Sequence, residues 1–523
     1  LTAQVQKEWK AMLKNKPFHV AQRAVCIKEP LKYIHRIGFL DRMETKGREN
    51  IKSITDTDFL EWLYENDFKY EDLYDVSCDT HENANKSILK YDAPEADFTL
   101  CDQECLRGAR ADVLDLWRVM DNSARILEFG EVTYVPATNP GAIYKMAGFK
   151  TKRDAVVYCM PEIKEFWKTA HLQEYDVLWK QAAKIELLKK TKLAASDLRG
   201  FTCPPVDFFA SKARMCQHFN ELSHQWAYNL TTMQRCGVAL QHGGFNWLMS
   251  QMEGMTVGEG DCNKWDGPLS KHLFDVCIQV RYNCWDKKGM AVGEWWQRMR
   301  YYYNQTVNSY ILLPSGQVIR KFIGNPSGDV NTTMDNCIMH MFVICYVWRR
   351  FFGASHLREP KSTFPIFNLY ADDNVFGTNK IHKEFHDFEL RSKYYAELGI
   401  SLSREKDFSG TTGPEGHTFL GPKAIRTGYG WAPLYNRDKI VCSMLHLSRA
   451  FKPGVLLART LSLMVNATFD EPLFNLLRQY ALRLIQRGIE VDKSEFTPDE
   501  RQFFSTSTPP TWEQCRNFWF GYE

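Results

Sequence analysis

Pro365-Ile366-Phe367-Asn368-Leu369-Tyr370-Ala371-Asp372-Asp373-Asn374-Val375-Phe376-Gly377 is the stretch whose reading decides the fold. The apolar runs 364–370 and 374–376 bracket two adjacent acids, which is the pattern of a hairpin with carboxylates at its tip. Neighbouring carboxylates cannot neutralise each other, so the pattern calls for a cation, and a divalent metal is the natural one. The plain alternative is an Asp-Asp-Asn turn, since these residues favour turns for their own backbone reasons. A third carboxylate and a nucleotide-binding apparatus elsewhere would decide between the two.

Asp261-Cys262-Asn263-Lys264-Trp265-Asp266-Gly267 supplies the third carboxylate. Met252 to Cys262, with Gly254, Gly258 and Gly260, reads as a strand that delivers Asp261 at its end, and Leu269 to Trp285 reads as an amphipathic helix. Metal-assisted phosphoryl transfer uses two cations about 3.5–4 Å apart, and Asp261 with Asp372 and Asp373 meets that need if the two strands are neighbours. Alone, the 261–267 segment would read as a surface loop with two acids.

Gly324-Asn325-Pro326-Ser327-Gly328 precedes Thr332, Thr333 and Asn336, where a periodic segment begins that runs to about Phe352. Small residues there let a backbone approach phosphates or a template base. Thr332 and Asn336, four apart, share a helix face. An ordinary N-cap would explain Ser327 but not Asn336. Lys184 to Lys192, with Arg199 beyond, concentrates cations as a triphosphate-binding wall would, although a solvated helix face is the usual account of a lysine run.

Composition sets the frame. A chain of 523 residues, 44% hydrophobic and 25% charged, is folded and built of several subdomains. The net charge is only +3, but it is unevenly spread. Residues 56–75 are acidic, whereas 145–153 and 180–199 are basic, as a basic channel in a near-neutral protein requires. Fifteen scattered cysteines read as reduced thiols of a cytosolic protein. Cys78, His81, Cys101 and Cys105 are spaced too irregularly for a zinc site. The apolar run Ile338 to Trp348 falls short of the roughly 18 residues that mark a transmembrane candidate, and no signal peptide is visible. A start at Leu1 suggests cleavage from a longer polypeptide or a trimmed one. The segment 161–192 reads as mostly helical, and so does the tail from about 440, notably Pro453 to Val465 and Pro472 to Gly488.

The order Lys184 to Arg199, Asp261/Asp266, Ser327-Gly328/Thr332/Asn336, Tyr370 to Asn374, Lys406 and Phe419-Leu420 resembles the successive motifs of RNA-dependent RNA polymerases of positive-strand RNA viruses. The picornavirus-like set is closest, and the Gly324 to Asn336 stretch looks like the astrovirus and potyvirus variety. These motifs span roughly residues 138–425. The resemblance implies an α+β, multidomain, right-hand fold. Residues 1–245 would be fingers with the fingertip region, 246–285 and 323–435 the palm with its antiparallel sheet, 286–322 a fingers insertion and 436–523 a helical thumb. Residues 1–130 would link fingertips to thumb.

Carried over, the resemblance makes Asp261, Asp372 and Asp373 ligands of two Mg²⁺ ions, with Mn²⁺ as a substitute. Asp266, Thr332 and Asn336 would sense the ribose 2′-hydroxyl, with Ser327 beside them at the nucleotide. Lys184, Lys190, Lys192 and Arg199 would line the triphosphate path, and Lys406 would protonate the leaving pyrophosphate. Thr138, Pro140 and Gly141 would guide the template, with Gly328 also on the template and primer, and Phe419 and Leu420 would support the primer end. RNA template, primer and NTPs are the expected partners, joined by a viral protein primer and other replication proteins. Those partners would bring the chain to membrane-associated complexes in the host cytoplasm.

One departure stands out. Ala371 occupies a place where these polymerases usually have Gly, and a tight turn accepts its methyl if φ stays negative. Tyr-Ala-Asp-Asp is as typical of reverse transcriptases, so two alternatives are a dNTP-using enzyme and a catalytically silent RNA-binding homologue. Asp266 and Asn336 favour ribonucleotides, because a site built to pair a hydroxyl rejects the analogue that lacks it.

Overall fold

The computed structural model describes residues 26–40, 53–353, 365–504 and 508–522, besides the isolated positions Lys7 and Ala11. At its centre lies a four-stranded antiparallel sheet in the order Ile366–Tyr370, Asp373–Thr378, Thr256–Gly260, Phe408–Thr412. The first two strands form the expected hairpin, paired from Ile366↔Gly377 to Tyr370↔Asp373. Side chains alternate between its faces. Phe367, Leu369 and Phe376 pack in one core, and Ile366, Val375 and Val257 in another with Phe245, Leu248 and Phe419.

The first of these cores is filled by the helix Thr332–Phe352, buried on all sides from Met334 to Trp348 as its apolar run requires. Its ends are held by ion pairs. Arg281 bonds Asp335 at 2.7 Å with both side chains buried, and Arg349 bonds Asp112 at 2.7 Å on the helix Gln103–Leu116. The helix Lys271–Cys284 packs against it, within the span the sequence predicts.

A five-stranded sheet, in the order His35–Phe39, Gln317–Arg320, Tyr310–Leu312, Leu178–Ala183, Gly200–Cys203, joins the N-terminal half to residues 310–320. Here the expected helix over 161–192 fails. It stops at Gln173, and Leu178–Ala183 and Leu187–Lys189 are strands. Pairing with Tyr310–Leu312 and with Tyr74–Val76 outweighs local helical preference.

The C-terminal helices Arg437–Leu445, Pro453–Asn466, Glu471–Gln486 and Trp512–Phe520 form a separate core that also takes in Phe59 and Leu63 of the helix Thr57–Glu65. Residues 54–72 therefore pack with the C-terminal helices. The physical reason is amphipathicity: two buried side chains contribute roughly 1.5–3 kcal/mol each. Ion pairs such as Asp58 to Arg487 at 2.8 Å are part-exposed and add at most about 1 kcal/mol. From there the chain continues to Tyr74–Val76, paired with Leu187–Lys189, so one short stretch spans from the C-terminal helices to the basic segment.

Candidate active site

Strand register brings the three carboxylates together. Asn374 stands opposite Gly260 across two neighbouring antiparallel strands, so Asp373 and Asp261 follow at the same end of the sheet. Asp372 lies in the hairpin turn beside them. Burial, followed by the charge of Asp266 and Asp261, raises the Asp372 carboxyl above its ordinary range. Asp373 is pushed up to about 7, by burial first and then by Asp372, Glu259 and Asp261, against a lowering hydrogen bond from the Leu420 N–H at 2.7 Å. An all-oxygen donor set that includes two raised carboxyls fits a hard divalent cation. Lys406, in the short turn Arg404–Lys406, donates to Asp261.

Ala371 overturns one expectation. Its φ is +57°, in the left-handed region, while Asp372 is not among the positive-φ residues. Positive φ at only the first turn position is the type II′ pattern, which normally demands glycine there. The turn is held from below: the Ala371 N–H donates to Cys337 Sγ at 3.1 Å, and its carbonyl accepts from His340 Nδ1 at 3.1 Å. Burial pushes His340 down to about 4, so the ring is neutral, and Nε2 accepts from the Tyr395 hydroxyl at 3.2 Å. Cys337 and His340 sit one turn apart on the long helix. In sequence His340 shows only as a break in the apolar run Ile338 to Trp348, and nothing marks Cys337 as its neighbour at the turn.

Asp266 and Asn336, expected at the ribose, are also brought together. Asn336 Nδ2 donates to Asp266 Oδ1 at 2.9 Å, Asn325 Nδ2 donates to Asn336 Oδ1 at 2.9 Å, and Lys90 lies 3.7 Å from Asp266 Oδ2. Thr332 differs. Its hydroxyl donates to the Pro326 carbonyl at 2.7 Å, so its proton is committed to the loop rather than to a ligand. Ser327 is not a helix cap: Asn331 holds that place without a side-chain bond, and Ser327 Oγ donates to the Gly200 carbonyl at 3.1 Å. Gly328 is glycine because a Cβ would collide with the Thr202 carbonyl, whose oxygen its own N–H reaches at 2.8 Å. Two buried lysines that sequence reasoning missed bolt this loop. Lys321 Nζ donates to the carbonyls of Thr306, Val307, Ile323 and Gly324, and Lys212 pairs with Asp329 at 2.7 Å.

The basic segment is exposed, and four of its cations have an acid within ion-pair reach. Lys184 lies 3.2 Å and Arg199 3.4 Å from Glu186, Lys190 lies 2.7 Å from Asp72, and Lys192 lies 3.9 Å from Asp197. In the 138–141 loop Thr138 is exposed, whereas Pro140 and Gly141 are buried, Gly141 at φ +95° against Pro205. Phe419 is fully buried, so its part in the Thr418–Gly421 turn is packing, and Leu420 alone of the pair touches the acids. Glu259 was also missed. It accepts from the Thr418 N–H and hydroxyl, tying that turn to the strand that carries Asp261.

A buried sheet with acids at one end, beside a hydrogen-bonded Asp266-Asn336 pair, is the arrangement that the sequence motifs led us to expect. A profile of the family described as "Viral RNA-dependent RNA polymerase" matches residues 125–485, and the chain belongs to that family. It is similar to the "Non-structural polyprotein 1AB" of Human astrovirus-1, 28% identical over 50% of this chain and 18% of the polyprotein. It is also similar to the "Genome polyprotein" of Bean yellow mosaic virus, 25% identical over 58% and 10% respectively, and to that of Blackberry virus Y, 32% identical over 48% and 7%. These matches cover less than a fifth of each polyprotein's length. Among the described residues no helix is long and apolar enough to cross a membrane.

Proposed function

We propose that this chain synthesises RNA on an RNA template from NTPs, in a right-hand arrangement. Its palm would be 246–285 and 323–435, its fingers 73–245 with 286–322, and its thumb 436–523, with 54–72 laid upon the thumb. The observation that carries this reading is the Asn374↔Gly260 register, which puts Asp261 beside Asp372 and Asp373. These three would hold two Mg²⁺ ions, which when bound activate the attacking 3′-hydroxyl and neutralise the departing pyrophosphate.

The chain's own residues do the rest. Asp266, fixed by Asn336, offers its remaining lone pairs to a ribose 2′-hydroxyl, and a deoxyribose would leave that part-buried pair short of a partner. Lys184, Lys190, Lys192 and Arg199 exchange exposed acid partners for triphosphate oxygens, a small cost because such pairs are weak. Lys406, poised on Asp261, carries a proton for the pyrophosphate. The Leu420 turn supports the primer end, and the exposed rim around Thr138 meets the template.

A primed RNA template supplied separately with NTPs and with dNTPs, in Mg²⁺ and then Mn²⁺, tests this. Extension with NTPs is expected, and efficient dNTP use without NTP use would overturn the reading. Asp372→Ala should lose at least ~10³-fold in extension rate while RNA affinity stays within about twofold. Asp266→Asn should relax the NTP preference by roughly 10- to 100-fold, read from kcat/KM ratios.

A further inference from the structure

A second donor cluster lies away from the acid site, where the 71–76 segment meets the C-terminal helices. Cys442 lies in the helix Arg437–Leu445 and His446 caps its end, four residues on, so the two share a face. Asp72 reaches both. Its Oδ1 lies 2.7 Å from His446 Nε2 and 3.6 Å from Cys442 Sγ, and one donor atom from each of the three residues falls within 4.8 Å of the others. Donors around a tetrahedral zinc, at ~2.0–2.3 Å from the metal, stand roughly 3.3–3.8 Å from one another, so the cluster needs only small side-chain shifts. The second ring nitrogen, His446 Nδ1, faces Asp75 Oδ1 at 3.9 Å. A metal-bound histidine characteristically gives its other N–H to a carboxylate. The Glu71 carbonyl oxygen, 3.7 Å from Cys442 Sγ, offers a fourth donor in competition with water.

An ion-pair network is the plainer account, since Lys190 holds the other Asp72 oxygen at 2.7 Å. It explains Asp72 and His446. It does not explain a cysteine aimed at the same oxygen from the same helix face, with a carboxylate behind the histidine.

We propose that Asp72, Cys442 and His446 bind a zinc-class divalent transition metal, oriented by Asp75, which clasps the 71–76 segment onto the C-terminal helices. Thiolate with imidazole selects zinc-like ions over Mg²⁺. Binding sends the Cys442 thiol proton to solvent and leaves the sulfur as thiolate. Lys190 shares Asp72 with the metal, so occupancy of the clasp loosens one cation of the basic segment.

Cobalt(II) is the probe. With excess Mg²⁺ present to occupy the acid site, chelator-stripped full chain should take up about one equivalent of Co²⁺, with a thiolate-to-cobalt charge-transfer band in the near ultraviolet and visible bands of tetrahedral intensity, both displaced by Zn²⁺. Cys442→Ser should remove the near-ultraviolet band, and Asp75→Asn should weaken Co²⁺ binding by ~10- to 100-fold. Asp372→Ala should change neither. Because a substitution in the helix can disturb folding, Asp72→Asn on the exposed side gives a second reading. Zn²⁺ should raise the melting temperature of the unsubstituted chain and leave that of Asp72→Asn unmoved. Absence of the charge-transfer band under excess Co²⁺, or its persistence in Cys442→Ser, overturns the proposal, as does an equal Zn²⁺ shift in Asp72→Asn.

Discussion

The Asp372-Asp373 turn and the basic segment 184–199 handle charge in opposite ways. In the turn, carboxylates converge on one another, with Lys406 on Asp261 as their cation, and burial with mutual repulsion lifts Asp373 to about 7. In the segment the cations are exposed, and Lys184, Lys190, Lys192 and Arg199 are each already matched with an acid. The lesson is that unbalanced charge in a dry place marks where a cation is needed, whereas balanced charge in water marks a surface whose pairs exchange cheaply.

Asp373→Asn would break this contrast most severely. Extension should fall by at least ~10³-fold, because one oxygen donor is lost from the acid cluster. Stability should move the other way. The Asp373 carboxyl sits above its unfolded value of 3.8, at about 7, so the folded chain holds a proton across that interval that the unfolded chain has released. Without divalent cation, the unsubstituted chain therefore loses stability as pH rises from about 4 to 7, and Asp373→Asn lacks that loss. Urea denaturation at pH 5 and pH 8 should show the variant gaining on the parent with rising pH, and Mg²⁺ should narrow the gap.

A smaller change would sharpen the contrast. Ala371→Gly removes the left-handed strain, which costs roughly 1–2 kcal/mol, but adds unfolded-state entropy worth about 0.4–1 kcal/mol. A net gain of about 0.5–1 kcal/mol in denaturant unfolding is expected, with Cys337 and His340 still clamping the turn. Smallest of all, Lys184→Ala should raise the KM for NTPs only a few-fold, because its exposed ion pair is worth no more than about 1 kcal/mol. A loss comparable to that of Asp373→Asn would make the segment part of the chemistry instead of its surroundings.

Much of the site could be read from the chain. The hairpin, the strand ahead of Asp261 and the helices 271–284 and 332–352 carry strong period-2 or period-3.6 patterns, and their ends fall close to the expected residues. The misses have physical reasons. Leu178–Ala183 became a strand because Tyr310–Leu312, far along the chain, and Gly200–Cys203 supplied the hydrogen bonds, and no local pattern reports that. Lys321, Glu259 and Cys337 gave no signal because a residue type by itself does not report whether its side chain is buried with partners or turned to water.

By itself the sequence determined which residue types stand at which spacings, and hence the acid pair at a hairpin tip, a third acid at a strand end and an amide four residues from a threonine. Those are local facts, set by the two-residue and 3.6-residue periods of the backbone. Only the tertiary structure decided that Gly260 lies opposite Asn374, that Thr332 spends its proton on a loop carbonyl, and that Ala371 bears a positive φ. The strand register and the Ala371 turn depend on groups far apart in the chain meeting within hydrogen-bond reach, and the Thr332 loop on buried lysines that hold its shape, and those meetings are set by how the cores pack together rather than by any single segment.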